Sequence, residues 1–435
     1  MRLFFPTIAL EGAERVPAGP VIFVLNHPNA LVDPLVLRLA LGRPVRFLGK
    51  STLFGNPVGR FTMEAFGAIP VHRRQDRDRA GAAADPARAA RDAARNEETF
   101  ALCRAALGRG ELLALFPEGT SHSEPEMKPF KTGAARIALS AEAQHGGALG
   151  LTIVPVGLFY EDKKKFRSRA LAVVGTPLPV APFHQTYRHD EHAAVDALTE
   201  AIRDGLETLV LQADTRELLE GVAAVAVWTA QSPEARDDLA ARHARAQELL
   251  AAYARLQARD PERVQAVVAA ARGYARVLGA LGVNDPWALE VGRVRAGPAA
   301  RALARLVLLF PFAAAGAALG YLPYRLAGLL ARRFGRGDDL VATLKLLGAL
   351  ALLPLAWGLE GFLAARAAHL GWWGALVLVA GPATGYAAIR FAETLEVVAA
   401  AARHLWIRAR RPDVAERLAA HRRALAAAVE AALRA

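Results

Sequence analysis

Over the first two hundred residues, short β-branched and aliphatic runs alternate with stretches whose apolar residues recur every third or fourth position. PVIFVL (20–25) is the first such run and ends in the polar turn NHPN. ALVDPLVLRLAL follows with a helical period and Asp33-Pro34 near its start, where proline is tolerated. Residues 44–48 (PVRFL) and 67–72 (GAIPVH) read as further strands, and 85–108 as a helical stretch leading into the strand of ELLALFPEG. Residues 132–145 predict an Ala-rich helix, and ALGLTIVPVGL and ALAVVGTPL two more strands. The alternation predicts an α/β domain, a mainly parallel sheet flanked by helices, occupying residues 1–210.

From residue 211 to 300 the pattern is helical throughout, with helices expected at 212–230, 233–257 and 260–281, separated by SP and DP breaks. Three apolar stretches follow at 306–324, 346–365 and 372–389, and a helical tail at 396–435. Each stretch is near the ~20 residues that cross a ~30 Å hydrocarbon core, and Trp372, Trp373, Tyr321 and Tyr324 flank them as interfacial aromatics do. Buried core helices are the alternative. Arginines 295, 301 and 305 precede the first stretch, and 325, 332, 333 and 336 follow it; 403, 408, 410 and 411 follow the third. By the positive-inside rule those flanks are cytoplasmic, which predicts a spanning hairpin from 346–365 and 372–389, with 306–324 re-entrant or spanning. The expected location is multi-pass in a membrane, a bacterial inner membrane, with the N-terminal domain on the cytoplasmic face. The opening MRLFFPTIAL, interrupted by Pro6, does not read as a cleavable signal.

Composition sharpens this picture. Hydrophobic residues make up 53% of the 435-residue chain, and Lys plus Arg number 54 against 42 Asp plus Glu, a formal net charge of +12. Such a chain seeks anionic partners: nucleic acid, lipid headgroups or phosphorylated small molecules. The apolar C-terminal third favours the last two, and no nucleic-acid-binding motif is present. The single cysteine, Cys103, excludes an internal disulfide and a Cys-based zinc site. His184, His189 and His192 fall at irregular spacing in what reads as a polar linker, so no metal site is expected.

Two segments carry candidate chemistry. LNHPNALVDP places Asn26, His27 and Asp33 where a strand gives way to a helix, the usual ligand position of open α/β folds. An imidazole there suits general-base work on a hydroxyl, and a nearby carboxylate fixes its tautomer. The same residues also fit a turn histidine and a helix N-cap. LFPEGTSHSEPEMKPFKTGAARIAL runs from a strand through Glu118, Gly119 and Thr120 to Lys128 and Lys131, with Gly133 opening a helix. Glycine, free backbone N–H groups and lysines suit phosphate; a solvated turn is the plainer reading. Arg73 and Arg74 stand just beyond the strand end of AFGAIPVHRR and offer a fork for phosphate oxygens, or ordinary surface charge. Lys163, Lys164 and Lys165 are equally open between headgroup contact and a solvated loop.

In order, NHPNALVD, GAIPVHR, FPEGTSH and VPVGL resemble the four blocks of the PlsC-type glycerolipid acyltransferases, which include glycerol-3-phosphate and lysophosphatidate acyltransferases. The resemblance covers residues 15–180, and the third block is its most specific part. It implies His27 as general base with Asp33 as its partner, Arg73 at the acceptor's phosphate, and Glu118 and Gly119 at the acceptor. Asn26, Thr120 and Lys131 complete the candidate substrate-binding set. One departure is visible: the usual family spacing has four residues between the histidine and the aspartate, whereas Pro28 to Val32 make five here. That resembles a longer-spaced subset, which includes yeast-type enzymes with C-terminal membrane segments. Neither spacing puts the two residues on one helix face, so the pairing requires His27 in the turn before the helix.

The resemblance implies an O-acyltransferase of phospholipid biosynthesis. An acyl-CoA or acyl-ACP would donate the acyl group to glycerol-3-phosphate or 1-acyl-glycerol-3-phosphate at an anionic membrane surface, with no metal or redox cofactor. Another lysophospholipid as acceptor, or a non-catalytic lipid-binding homologue, are the alternatives. No G-x-S-x-G elbow offers a covalent nucleophile.

Overall fold

The computed structural model describes residues 4–71, 86–283, 296–335, 338–367 and 376–434. By their contacts they form two compact units, Met1–Asp214 with Gly337–Asp339 and Thr215–Arg336 with Leu340–Ala435.

The first unit is built on a mainly parallel sheet. Its strands are β1 (Thr7–Glu11), β2 (Val21–Leu25), β3 (Val45–Lys50), β4 (Ala68–Val71), β5 (Leu112–Leu115), β6 (Thr152–Tyr160), β7 (Arg169–Val174) and β8 (Leu178–Pro179). They lie in the order β1-β7-β6-β2-β5-β3-β4, with β8 beside β6; β6 runs antiparallel to β7 and β8, and every other pair is parallel. The helices are α1 (Val32–Leu41), α2 (Pro57–Ala65), α3 (Pro86–Gly108), α4 (Gly133–Gln144), α5 (Ala181–His189) and α6 (Glu191–Glu207).

All five residues of β2 are buried, as a strand covered on both faces must be. Ile22 and Val24 pack with Leu113, Leu115 and Ile153 against Ala135, Ile137 and Leu139 of α4 and Leu198 and Ile202 of α6. Alternation along the strand turns Val21, Phe23 and Leu25 to the opposite face. The buried carboxylate of Glu142, on α4, accepts the backbone N–H groups of Gly150 (3.3 Å) and Leu151 (3.0 Å) and so anchors the approach to β6.

Two elements here escape the hydrophobic pattern. β1 is short and half-buried and pairs only with β7, far away in sequence. Residues 184–192, read from sequence as a linker, are helical instead. Asp190 separates α5 from α6 and caps the latter by accepting the Ala193 N–H at 3.0 Å. Ala194, Leu198, Ile202 and Leu206 of α6 then form one buried stripe.

The second unit is helical: α7 (Arg216–Trp228), α8 (Pro233–Asp237), α9 (Leu239–Arg259), α10 (Pro261–Leu281), α11 (Ala296–Phe334), α12 (Asp338–Ala367, in this unit from Leu340), α13 (Leu376–Arg410) and α14 (Pro412–Leu433). The SP and DP breaks act as caps, Ser232 accepting Ala235 N–H and Asp260 accepting Arg263 N–H, each with proline at the next position. Tyr274 and Leu278 of α10 share a core with Ile407 of α13 and Leu418, Leu425 and Val429 of α14.

Residues 306–324 lie inside α11, which runs unbroken through Pro311 and Pro323. Among the described residues, Ala299–Phe334 and Leu340–Arg366 are long and apolar enough to cross a membrane, each with mean hydropathy 1.9. The third stretch, 372–389, begins outside the described residues and continues as α13. α11 and α13 approach closely where Gly316 meets Thr384: a Cβ at Gly316 would lie 2.0 Å from the Thr384 carbonyl oxygen.

Candidate active site

β2 and β5 are neighbours whose connections leave in opposite directions, β2 through α1 to β3 and β5 through α4 to β6. Such a switch point opens a crevice beyond the carboxyl ends of the two strands. The NHPNALVD loop leaves β2 there, and the FPEGTSH loop leaves β5 there. The two loops are tied by the His122 N–H, which donates to the His27 carbonyl at 3.1 Å.

His27 occupies the turn before α1, and Asp33 the first turn of that helix. Between them the chain bends tightly at Ala30, whose φ is +45°. His27 Nδ1 stands 2.8 Å from Asp33 Oδ2. Asp33 is wholly buried, and a buried carboxylate must be compensated. It accepts the Asn29 N–H at 2.8 Å on the same oxygen and the Tyr160 hydroxyl at 2.6 Å on the other. Burial, together with the charge and hydrogen bond of Asp33, raises the Tyr160 phenol well above its ordinary value of 10.0, so it stays protonated and donates. An ionised carboxylate only accepts, so Nδ1 of His27 carries the proton and Nε2 keeps its lone pair. The ring stacks on Phe116, with centroids 3.9 Å apart and 20° between planes, and the side chain remains 16% exposed.

Glu118 is 2% exposed. Its Oε2 accepts from His122 Nε2 and from the Lys128 N–H, the latter at 2.8 Å. His122 Nδ1 in turn accepts the Glu124 N–H at 3.2 Å, so both of its nitrogens are engaged. The two histidines of this crevice thus differ: His122 is committed at both nitrogens to its own loop, and His27 presents a basic nitrogen. Gly119 is left-handed (φ +70°) and donates to the Phe116 carbonyl at 2.9 Å, closing the turn that lets Glu118 point inward. The Lys131 N–H donates to the Pro117 carbonyl at 2.7 Å while its side chain is exposed, and Thr120 is half-buried.

Asn26 pairs at both ends with one residue of the sheet: its amide accepts the Leu158 N–H at 2.7 Å and donates to the Leu158 carbonyl at 3.1 Å. It therefore clamps the end of β2 to β6. Arg73 and Arg74 lie outside the described residues.

Residues 7–158 match the family model "Acyltransferase". Residues 7–158 thus carry a PlsC-type acyltransferase domain. An uncharacterised acyltransferase of Schizosaccharomyces pombe is 28% identical over 291 residues, covering 50% of this chain and 43% of that protein. Glycerol-3-phosphate O-acyltransferase 2 of Saccharomyces cerevisiae is 35% identical over 26% of this chain and 15% of its own length. The chloroplastic 1-acyl-sn-glycerol-3-phosphate acyltransferase LPAT1 of Arabidopsis thaliana is 26% identical over 37% of this chain and 38% of its own. The matched segments thus span less than half the length of each of these relatives.

Phe116 and Tyr160 of this crevice are not among the sequence candidates, and Lys163 is read there only as a headgroup contact or a solvated loop residue. Phe116 opens the FPEG turn, directly after β5, and would be taken for a core residue. Lys163, one of three lysines in a row, donates from its ammonium to the Pro28 carbonyl at 3.2 Å and to the Ser123 hydroxyl, bridging both loops. Tyr160 ends β6, far from Asp33 in sequence, and no local signal marks it.

Proposed function

We propose that the chain transfers a fatty acyl group from acyl-CoA or acyl-ACP to the hydroxyl of glycerol-3-phosphate or 1-acyl-glycerol-3-phosphate, with His27 as general base. The observation that carries this reading is the His27 and Asp33 pair, oriented with Nε2 basic at the switch point of an acyltransferase-family domain. In this scheme the acceptor's O–H proton passes to His27 Nε2 as its oxygen attacks the thioester carbonyl carbon. Asp33 stabilises the imidazolium that forms. The tetrahedral intermediate collapses with cleavage of the C–S bond, and the departing thiolate takes the proton back from His27. No acyl-enzyme is required.

Relatives bearing each acceptor's name match this chain, so both acceptors stand in the proposal. Arg73, Glu118, Gly119, Thr120 and Lys131 are proposed to hold the acceptor, with Lys131 and Arg73 at its phosphate.

The chain is further proposed to be a membrane protein, its catalytic domain on the cytoplasmic face. Within the apolar windows of Ala299–Phe334 and Leu340–Arg366 only 11% of residues are buried, which is unlike the core helix of a soluble protein. Val307 (72%), Leu308 (70%), Leu322 (76%) and Leu355 (69%) are exposed, as lipid-facing residues are.

The test is acyl transfer by purified protein in liposomes. Labelled acyl-CoA and, separately, acyl-ACP are offered with glycerol-3-phosphate, 1-acyl-glycerol-3-phosphate and other lysophospholipids. Acylation of one of the first two acceptors, lost in a folded His27→Ala variant, is the expected result. Transfer only to a different lysophospholipid would redirect the acceptor, and wild type as inert as the variant with both donors would overturn the enzymatic reading.

A further inference from the structure

We infer that Tyr160 is a positioning residue that sets the proton affinity of His27 through Asp33, a role that rests on the proposed use of His27 as base. The geometry is a linear chain: the Tyr160 hydroxyl donates to Asp33 Oδ1 at 2.6 Å, and Asp33 Oδ2 faces His27 Nδ1 at 2.8 Å. Asp33 is fully buried, so water cannot replace a missing donor cheaply. Tyr160 reaches it because β6, nine residues long, runs past the end of the five-residue β2; in the parallel register Leu25 stands opposite Val156, and Tyr160 lies beyond. The phenol is held from behind by Phe5, whose ring lies 5.4 Å from its own. The phenol stays protonated over the working pH range, as its burial against Asp33 requires.

The direction of the effect follows from charge. A phenol that donates to Asp33 withdraws negative charge from the carboxylate. Without that donor the carboxylate holds the imidazolium more firmly, and the pKa of His27 rises. With a stronger donor it falls. Among the described residues, the titratable or charged groups bonded to the loop that carries the pair are Lys163, on the Pro28 carbonyl, and His122, whose N–H holds the His27 carbonyl and whose ring pairs with Glu118. None of them is altered in the variants below, so a change between variants reports Tyr160.

The experiment is a ¹³C-histidine NMR titration of the whole chain in detergent micelles, with the His27 signal identified by its loss in His27→Ala. Tyr160→Phe is expected to raise the His27 pKa by about 0.5–1 unit. The acid limb of the kcat/KM profile is expected to move to higher pH by the same amount, with KM for the acceptor within about two-fold of wild type. Replacing tyrosine by 3-fluorotyrosine, a better donor of the same shape, is expected to lower the His27 pKa, and the same replacement in Tyr160→Phe to add nothing. If Tyr160→Phe does not fold, the fluorotyrosine titration decides alone. A His27 pKa unmoved by either change, whatever the loss in Tm, would reduce Tyr160 to packing and overturn the inference. A wild type inert toward every acceptor would instead sink the catalytic proposal while leaving the titration readable.

Discussion

The backbone N–H of His122 donates to the carbonyl oxygen of His27 at 3.1 Å, joining the loop that follows β5 to the loop that follows β2. With the Lys163 ammonium on the Pro28 carbonyl and the Ser123 hydroxyl, this makes the two loops one rigid rim. Side chains on that rim are held by several partners each, so single substitutions are expected to separate chemistry from scaffolding.

Asp33→Asn is expected to lower kcat by about 10²–10⁴-fold. An amide nitrogen placed toward His27 demands a bare Nδ1, which moves the ring proton to Nε2, where the base must be free. The buried Tyr160 and Asn29 donors lose acceptor capacity as well, so stability is expected to fall by about 1–3 kcal/mol. Steady-state kinetics with a parallel thermal melt measures both; full activity in the variant would remove Asp33 from the mechanism.

His122→Ala is expected to spare the chemical step, because both nitrogens of His122 are engaged within its loop. The loss should appear in the acceptor's KM as Glu118 is freed, with kcat within about ten-fold of wild type, against the far larger loss for His27→Ala. Comparable collapse of kcat in both variants would point to His122 as a second participant.

Cys103 is wholly buried on α3, and burial pushes its thiol from 9.0 up to about 12. In the unfolded chain the thiol ionises near its ordinary value, while in the folded chain it stays neutral until about 12. Unfolding therefore releases a proton in this window, and stability should fall as pH rises through 9 to 12. Since the chain has one cysteine, thiol labelling is a clean probe: at pH 8 the native protein should resist a thiol reagent that modifies it fully in denaturant. Rapid labelling of the native state would contradict the burial.

Gly316→Leu should be severe. A Cβ at this position would lie 2.0 Å from the Thr384 carbonyl oxygen and 2.8 Å from the Gly385 nitrogen, backbone atoms of α13 that cannot swing aside. The expected outcome is loss of α11 and α13 packing, seen as a large drop in Tm or in yield of monodisperse protein. Gly320→Leu, one turn along and with open space at its Cβ, is the matched control and should be tolerated.

The formal charge of +12 predicts that transfer is stimulated by anionic lipid in the vesicle and suppressed as salt is raised. Assays across vesicles of graded anionic content at low and high ionic strength measure this. Activity flat across both variables would dismiss a surface-electrostatic contribution.

The parts of this fold that show in the sequence are those set by local chemistry. PVIFVL is a strand because it is buried on both faces, and the SP and DP breaks cap helices through their own side chains. His27 and Asp33 are visible for the same reason, since turn and helix start are adjacent in the chain. What does not show depends on pairing at a distance. The paired partner of Asn26 is Leu158, and the donor to Asp33 is Tyr160, both supplied by the register of β2 on β6. β1 has a partner only in β7, so its five residues carry too little pattern to be read alone. The charged surface of α5 and α6 hides a buried stripe that becomes evident only against α4.

The strand order also bears on synthesis. β1 leaves the ribosome first, yet the one strand it pairs with, β7, ends at Val174, and β6, which carries Tyr160, emerges just before it. The N-terminal strand must therefore wait, unpaired, until the whole crossover system has been translated. A nascent chain halted at residue 158, where the family match ends, would hold His27, Asp33 and Glu118 but neither the outer strand pair nor the phenol behind the dyad.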